Sequence, residues 1–335
     1  MATFDLTVPP ALPAAVLLIA AAAAFLELGV FRCSDSVSPV ARPLSLPSSN
    51  AASDAGFRFM STTQLGVSGT GAATFTVPSW VWHSLAEAEA AAAAPPTAAE
   101  VAATAAALAD RTNYKAQDGE DRFALDLFFS GVRGGLILES GALDGVLFST
   151  SWLFERALGW RAIHVEASAS NYAHLVRNRP GALNIHAALC KEPASLHMVA
   201  QNASLPTAVG GIWEFMAPHF REYFWPGVSD VSSLPTVACL PLAPLLALFG
   251  ITHVDFWVLD VEGAELEVLR ATDFSQVSFG AIVIETDGHV PAKDREVVEL
   301  LESNGYVSYG LVERNTWLVS RDIVLRGQLR GADKS

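Results

Sequence analysis

Lysine and arginine are scarce in this 335-residue chain, 21 against 35 aspartates and glutamates, for a formal net charge of −14. A nucleic-acid groove needs a local excess of cations against phosphate, so nucleic acid is not an expected partner. Cysteine is rarer still. Cys33, Cys190 and Cys239 are too few for a disulfide scaffold, and their spacing fits no metal knuckle. Charged residues of both signs make up only 17% of the chain against 51% hydrophobic. That balance excludes a disordered protein, and at this length it allows a well-buried core. The mean hydropathy of +0.33 is high for a soluble enzyme and directs attention to a membrane segment.

The candidate for such a segment is residues 11–31, ALPAAVLLIAAAAAFLELGVF. Its uninterrupted apolar part, Ala11 to Leu26, falls between the ~7–15 residues of a targeting segment and the ~20 of a spanning helix. A single-pass anchor is the leading expectation. A cleaved targeting segment and an alanine-rich helix packed on protein are the alternatives. Residues 1–33 are therefore read as an anchor or targeting segment. Residues 34–122 are read as a Ser/Pro/Gly-rich linker followed by alanine-rich helices broken at Pro95-Pro96.

From Phe123 to about residue 325 the pattern changes. Strand candidates at 135–139, 162–166, 183–187, 254–260 and 281–285 alternate with helical segments at 151–158, 168–178, 241–249, 264–270 and 292–304. Alternation of this kind builds a parallel sheet covered on both faces. Two last strands, near 306–312 and 316–319, are separated by only Glu313, Arg314 and Asn315, which predicts an antiparallel hairpin at the sheet edge. The expected fold class is α/β, a Rossmann-like and mostly parallel sheet with an alanine-rich helical extension before it.

Acidic residues stand at the carboxyl ends of the predicted strands, where open α/β sheets bind ligands. Glu139, Gly141, Ala142, Asp144 and Gly145 form a glycine-bearing turn after the first strand. Two acids there are poor company for a pyrophosphate and suit a ligand with a cationic centre, such as S-adenosylmethionine. Glu166 closes the second strand about 20 positions after Gly145, where an acid can accept both hydroxyls of a ribose. Asp260, Glu262 and Glu265 follow the fourth strand. Asp260 could orient an acceptor, take a proton from a hydroxyl, or help hold a divalent metal. Glu285 ends the fifth strand, and His289 just after it is the best-placed titratable base among the histidines. Between the third and fourth strands, residues 198–241 are long and aromatic, and read either as a hydrophobic cap or as an acceptor pocket that stacks on sugar rings. That segment also carries Asn202-Ala203-Ser204, a glycosylation signal of consequence only in a secretory lumen.

These stretches, with Gly159-Trp160, Asn178-Arg179-Pro180, Ala187-Ala188-Leu189-Cys190 and Asp260-Val261-Glu262-Gly263-Ala264-Glu265 in order, resemble the FkbM-type methyltransferases over roughly residues 123–310. The resemblance implies transfer of a methyl group from S-adenosylmethionine to a hydroxyl oxygen on a sugar or other small metabolite or glycan acceptor. It implies that Glu139, Gly141, Asp144 and Gly145 take the methionine end of the cofactor and Glu166 its ribose. Ala187 to Leu189, with Ala188 at the centre, would lie near the adenine, and Asp260 and Glu262 beside the transferred methyl. Helix termination before Pro180 would account for Asn178 and Arg179. An NAD-dependent oxidoreductase shares the fold and the ribose acid but is disfavoured by the incomplete glycine triad and the acidic turn. A cofactor-binding pseudoenzyme is the third reading.

Overall fold

The computed structural model describes residues 61–67, 71–78, 95–199, 208–286 and 290–325. Two strands open it, β1 (Ser61–Val67) and β2 (Gly71–Val77). After Pro95-Pro96, helix α1 (Ala98–Ala109) begins at Thr97, whose hydroxyl accepts from the Glu100 amide while the Glu100 carboxylate accepts from the Thr97 amide. This reciprocal cap satisfies two otherwise orphaned donors. Helix α2 (Glu120–Leu127) leads into β3 (Leu136–Ser140), α3 (Ser151–Leu158), β4 (Arg161–Glu166), α4 (Ala169–Asn178) and β5 (Leu183–His186). An inserted region then carries β6 (Ala188–Leu189), β7 (Ala194–Val199), β8 (Gly211–Ile212), α5 (Pro218–Phe224) and β9 (Thr236–Leu240). The alternation resumes with α6 (Leu242–Ala247), β10 (His253–Leu259), α7 (Glu265–Ala271), β11 (Ser278–Glu285) and α8 (Pro291–Ser303). It ends in the hairpin β12 (Tyr306–Val312) and β13 (Asn315–Ser320).

The main sheet has nine strands in the order β1-β2-β5-β4-β3-β10-β11-β13-β12. The five central strands are parallel, and both edges are antiparallel hairpins. The fold is α/β and Rossmann-like, as the alternation of strands and helices predicts. Successive residues of the central strands enter opposite cores. Leu136 and Leu138 join one apolar cluster with Trp257, Phe279 and Ile284, while Ile137 joins the other with Phe154, Phe256 and Trp317. Burial on both faces is why these strands read as continuous apolar runs. Between β3 and β10 the strand order reverses direction, and a crevice opens at the carboxyl ends of the two strands.

Strands β1 and β2, in the stretch that composition assigns to the linker, join this sheet. Strand β2 pairs with β5, Phe75 opposite Ile185, and Ala73, Phe75 and Val77 are buried. The period of two is present in GAATFTV, but a Ser/Gly/Thr-rich surround masks it. Among the described residues no helix is long and apolar enough to cross a membrane. The expected single-pass anchor is corrected accordingly: it has no structural support, and residues 11–31 themselves lie outside the described residues, as does Asn202. Cysteine scarcity excludes a scaffold of bridges but not a single one. Cys190 and Cys239 form a disulfide, their Cα atoms 5.7 Å apart, where β6 runs parallel to β9.

Candidate active site

Gly141 ends β3 at the reversal point. Its φ is +88°, and a Cβ built on it would lie 1.8 Å from the Asp260 carbonyl oxygen. Only glycine lets the two strand ends meet here. They are further tied by the Asp260 amide donating to the Ser140 carbonyl at 3.1 Å and by Trp257 Nε1 donating to Ser140 Oγ at 3.0 Å. Gly141→Ala is therefore expected to destabilise the domain by roughly 3–5 kcal/mol, read as a fall in the urea midpoint. An unchanged midpoint would show that the strand ends can part without cost.

A cavity of about 890 Å³ lies over this junction, lined by the ends of β3, β4, β10 and β11 and by the inserted region. That is near the upper end of the roughly 300–1,000 Å³ typical of small-molecule sites. Along one wall Gly141, Ala142, Ala187 and Ala188 present little or no side chain, leaving depth for a flat ligand. Glu166 closes β4 beside them and is buried. Its two carboxylate oxygens accept from the amides of Leu143 at 2.8 Å and Ser168 at 2.7 Å. Burial outweighs these bonds and pushes its carboxyl up to about 7. A buried acid at this point, on the cavity lining, fits a nucleoside's vicinal hydroxyls.

Glu139 also borders the cavity, but its carboxylate is held from behind. It accepts from the Ser151 amide at 2.6 Å and from Ser151 Oγ at 3.0 Å, and His164 Nε2 lies 3.5 Å away. Burial raises its carboxyl, and the nearby Arg179 guanidinium opposes that rise. Asp144 and Gly145 are not among the residues that line the cavity. The Asp144 carboxylate accepts from its own loop, from the amides of Val146 and Leu147, both at 2.8 Å. Gly145 packs instead against Arg179 and Leu175. The turn's own amides thus engage one of the two Asp144 oxygens, Oδ1.

At the other end Asp260, Glu262, Glu285, Glu120 and Arg314 line the cavity together. Asp260 Oδ1 is buried with no hydrogen-bond partner. Burial, and then the negative neighbours Glu285, Glu262 and Glu265, hold its carboxyl well above the usual aspartate range. Glu262 sits in the left-handed region at φ +55°. Arg314 Nη1 donates to Glu285 at 3.1 Å while Nε and Nη2 donate to Asp118, and Asn315 donates to Glu120 at 2.8 Å. Glu120, Arg314 and Asn315 are functional candidates that no local motif announces, because the sheet order alone brings residues near 118 and 314 together. His289 lies outside the described residues. From the inserted region Phe215, His219, Phe220, Tyr223 and Phe224 reach the cavity, whereas Trp225 is buried beneath them.

Asp260, Glu265 and Glu285 each offer a carboxylate oxygen within 4.8 Å of the others. They do not fit a resident cation. Glu265 spends one oxygen on the amides of Val261 and Gly263 and the other on Lys293, and Glu285 is paired with Arg314. Two neighbouring cations already supply the positive charge that a metal would bring.

Among curated proteins, none matches this sequence. Similar solved structures include a precorrin-6y C5,15-methyltransferase from Geobacter metallireducens, at 12% identity and TM-score 0.30, covering 60% of this chain and 85% of that one. Another is a fibrillarin from Aeropyrum pernix with natively bound S-adenosyl-L-methionine, at 15% identity and TM-score 0.29, covering 56% and 66%. A third is a SAM-dependent methyltransferase from Aquifex aeolicus, at 14% identity and TM-score 0.30, covering 64% and 97%. At those scores the assignment rests elsewhere. The methyltransferase FkbM domain matches residues 139–308, just over half of the chain, and contains most of the cavity wall described above. This chain belongs to the FkbM methyltransferase family, whose members transfer a methyl group from S-adenosylmethionine.

Proposed function

We propose that this enzyme methylates a hydroxyl oxygen on an uncharged small acceptor, a sugar or a comparable hydroxylated metabolite. The observation that carries the reading is Asp260: a buried, unpartnered carboxylate oxygen at the cavity's acidic end. An aspartate at its ordinary value is a weak base for an alcohol. One whose proton affinity is raised by burial and by Glu285, Glu262 and Glu265 is better matched to accept that proton. Bound S-adenosylmethionine supplies the methyl carbon, a C–O bond forming as the C–S bond breaks. The chain's own contribution is alignment, since holding reactants in line replaces a bimolecular encounter. Glu166 and the small residues 141, 142, 187 and 188 are proposed to hold the nucleoside, and Glu139 the far end of the cofactor through its edge on the cavity. Phe220, Tyr223 and Phe224 offer faces on which a sugar ring can stack.

Charge narrows the acceptor. Four acids at this end face one arginine, which Asp118 and Glu285 already engage. A phosphorylated acceptor or a nucleic acid would meet repulsion there. The test is incubation with methyl-labelled cofactor and panels of neutral, phosphorylated and carboxylated sugars, with products analysed by mass spectrometry. Label on a hydroxyl of neutral acceptors supports the reading. Label on nitrogen or carbon, or a preference for phosphorylated sugars, would overturn it. Cofactor binding with no turnover on any acceptor fraction would favour the pseudoenzyme instead.

A further inference from the structure

The cofactor-side loop, residues 141–150, contains two non-glycine residues in the left-handed region, Leu143 at φ +49° and Phe148 at φ +59°. Both line the cavity. Such residues cost about 1–3 kcal/mol each and persist only where the surroundings over-determine them. The Leu143 amide donates to Glu166 and Phe148 bridges to Ala116, while the residues between them are held from the loop's outer side. Helix α4 stops at Asn178 because Pro180 disfavours helical backbone before it, and the side chains of Asn178 and of Arg179, which caps the helix, turn back to the loop. Asn178 Nδ2 donates to the Asp144 carbonyl, and Arg179 Nη1 donates to the next carbonyl, that of Gly145, both at 2.8 Å. Arg179 also donates to Ser149 Oγ and Ser151 Oγ, each at 2.9 Å, and pairs with Glu155. It is buried, and a Cβ on Gly145 would lie 2.5 Å from its side chain. The glycine thus makes room for the arginine rather than for a ligand.

We propose that Asn178 and Arg179 are positioning residues, a two-point clamp on successive carbonyls that sets the shape of the cofactor loop from behind. The proposal rests on the cofactor reading above. It assigns a task to a motif that helix termination alone would otherwise explain. The two explanations differ in outcome, because an exposed asparagine that merely precedes a helix stop can be replaced without effect on a cavity it does not line.

The experiment uses the full-length protein and S-adenosylhomocysteine as probe, with affinity measured by calorimetry and amide exchange measured without ligand. Asn178→Ala, at an exposed position, is expected to keep the unliganded melting temperature, weaken binding about 3-fold or more, and speed exchange at Val146 and Leu147. Arg179→Lys keeps the charge but cannot span the same acceptors; binding about 10-fold weaker is expected. Should Arg179→Lys fail to fold, Asn178→Ala carries the test alone. Wild-type affinity together with unchanged loop exchange in Asn178→Ala would overturn the clamp. A wild-type protein that does not bind the probe would instead sink the cofactor reading, and the exchange rates would still decide the clamp.

Discussion

Asp260→Asn should lower kcat by about 10²–10⁴-fold, the usual share of a positioned general base, while S-adenosylhomocysteine affinity stays within about ten-fold of wild type. The asparagine keeps the shape and one carbonyl oxygen but cannot take up a proton. The backbone of Asp260 serves the junction with β3 through its amide and carbonyl, and the substitution leaves both in place. A folded variant, confirmed by an unchanged unfolding midpoint, with turnover within about three-fold of wild type would show that alignment alone drives the reaction. Glu285→Gln provides a graded companion. It removes the leading charged neighbour that raises Asp260, so the acid limb of the pH–rate profile should move to lower pH. The sign follows from like charges disfavouring ionisation.

The second large effect is expected at Glu166. Its carboxyl is pushed up to about 7, so near neutrality the unliganded protein holds a mixture of charged and neutral forms. Only the charged form offers full acceptor capacity to two ribose hydroxyls. S-adenosylhomocysteine affinity should therefore fall about ten-fold between pH ~8 and pH ~6, with proton release on binding near neutrality. His186, paired with Glu166 across β4 and β5, is itself pushed below its ordinary value by burial and remains neutral over most of that range. Glu166→Gln should bind at least about ten-fold more weakly at pH ~8, since hydrogen bonds to a charged group contribute ~1.5–3 kcal/mol, and should lose the pH dependence. A pH-dependent Gln variant would place the titration elsewhere. Stability runs the other way. A buried carboxyl with a raised value favours the folded state most below its ordinary 4.5, and that contribution is lost as pH rises from there to about 7.

The parallel core was legible in the sequence because strands buried on both faces leave continuous apolar runs, as in Phe256–Leu259 and Ala281–Ile284. The strand-end acids were legible for a related reason: a charge at the end of such a run must sit where the sheet opens. Strands β1 and β2 were not, since β2 joins the sheet through β5, more than a hundred residues downstream, and β1 joins it only through β2. The turn is less plain: Asp144 reads as a ligand in one dimension, whereas in the structure amides two and three residues ahead bond its Oδ1 and it lies off the cavity lining. Glu120 and Arg314 were invisible for the opposite reason: Asn315 reaches Glu120 and Arg314 reaches Asp118 only because the hairpin folds beside α2. The raised carboxyl of Asp260 comes first from burial and then from neighbours in space, Glu285 ahead of Glu262 and Glu265, and no local spacing announces that.

The disulfide has a further consequence. Its two cysteines are 49 positions apart, and the chain between them includes β7, β8 and α5 with the aromatic side chains that reach the cavity. That stretch is a covalently closed lobe, its ends joined next to Ala188 and Leu189 where β6 pairs with β9. Its contents can lengthen, shorten or change sequence while the entry and exit stay fixed, because loop-closure cost grows only slowly with length. On the function proposed above, the residues that would hold the nucleoside lie outside this closed segment, and the aromatic faces offered to an acceptor lie within it, between Cys190 and Cys239.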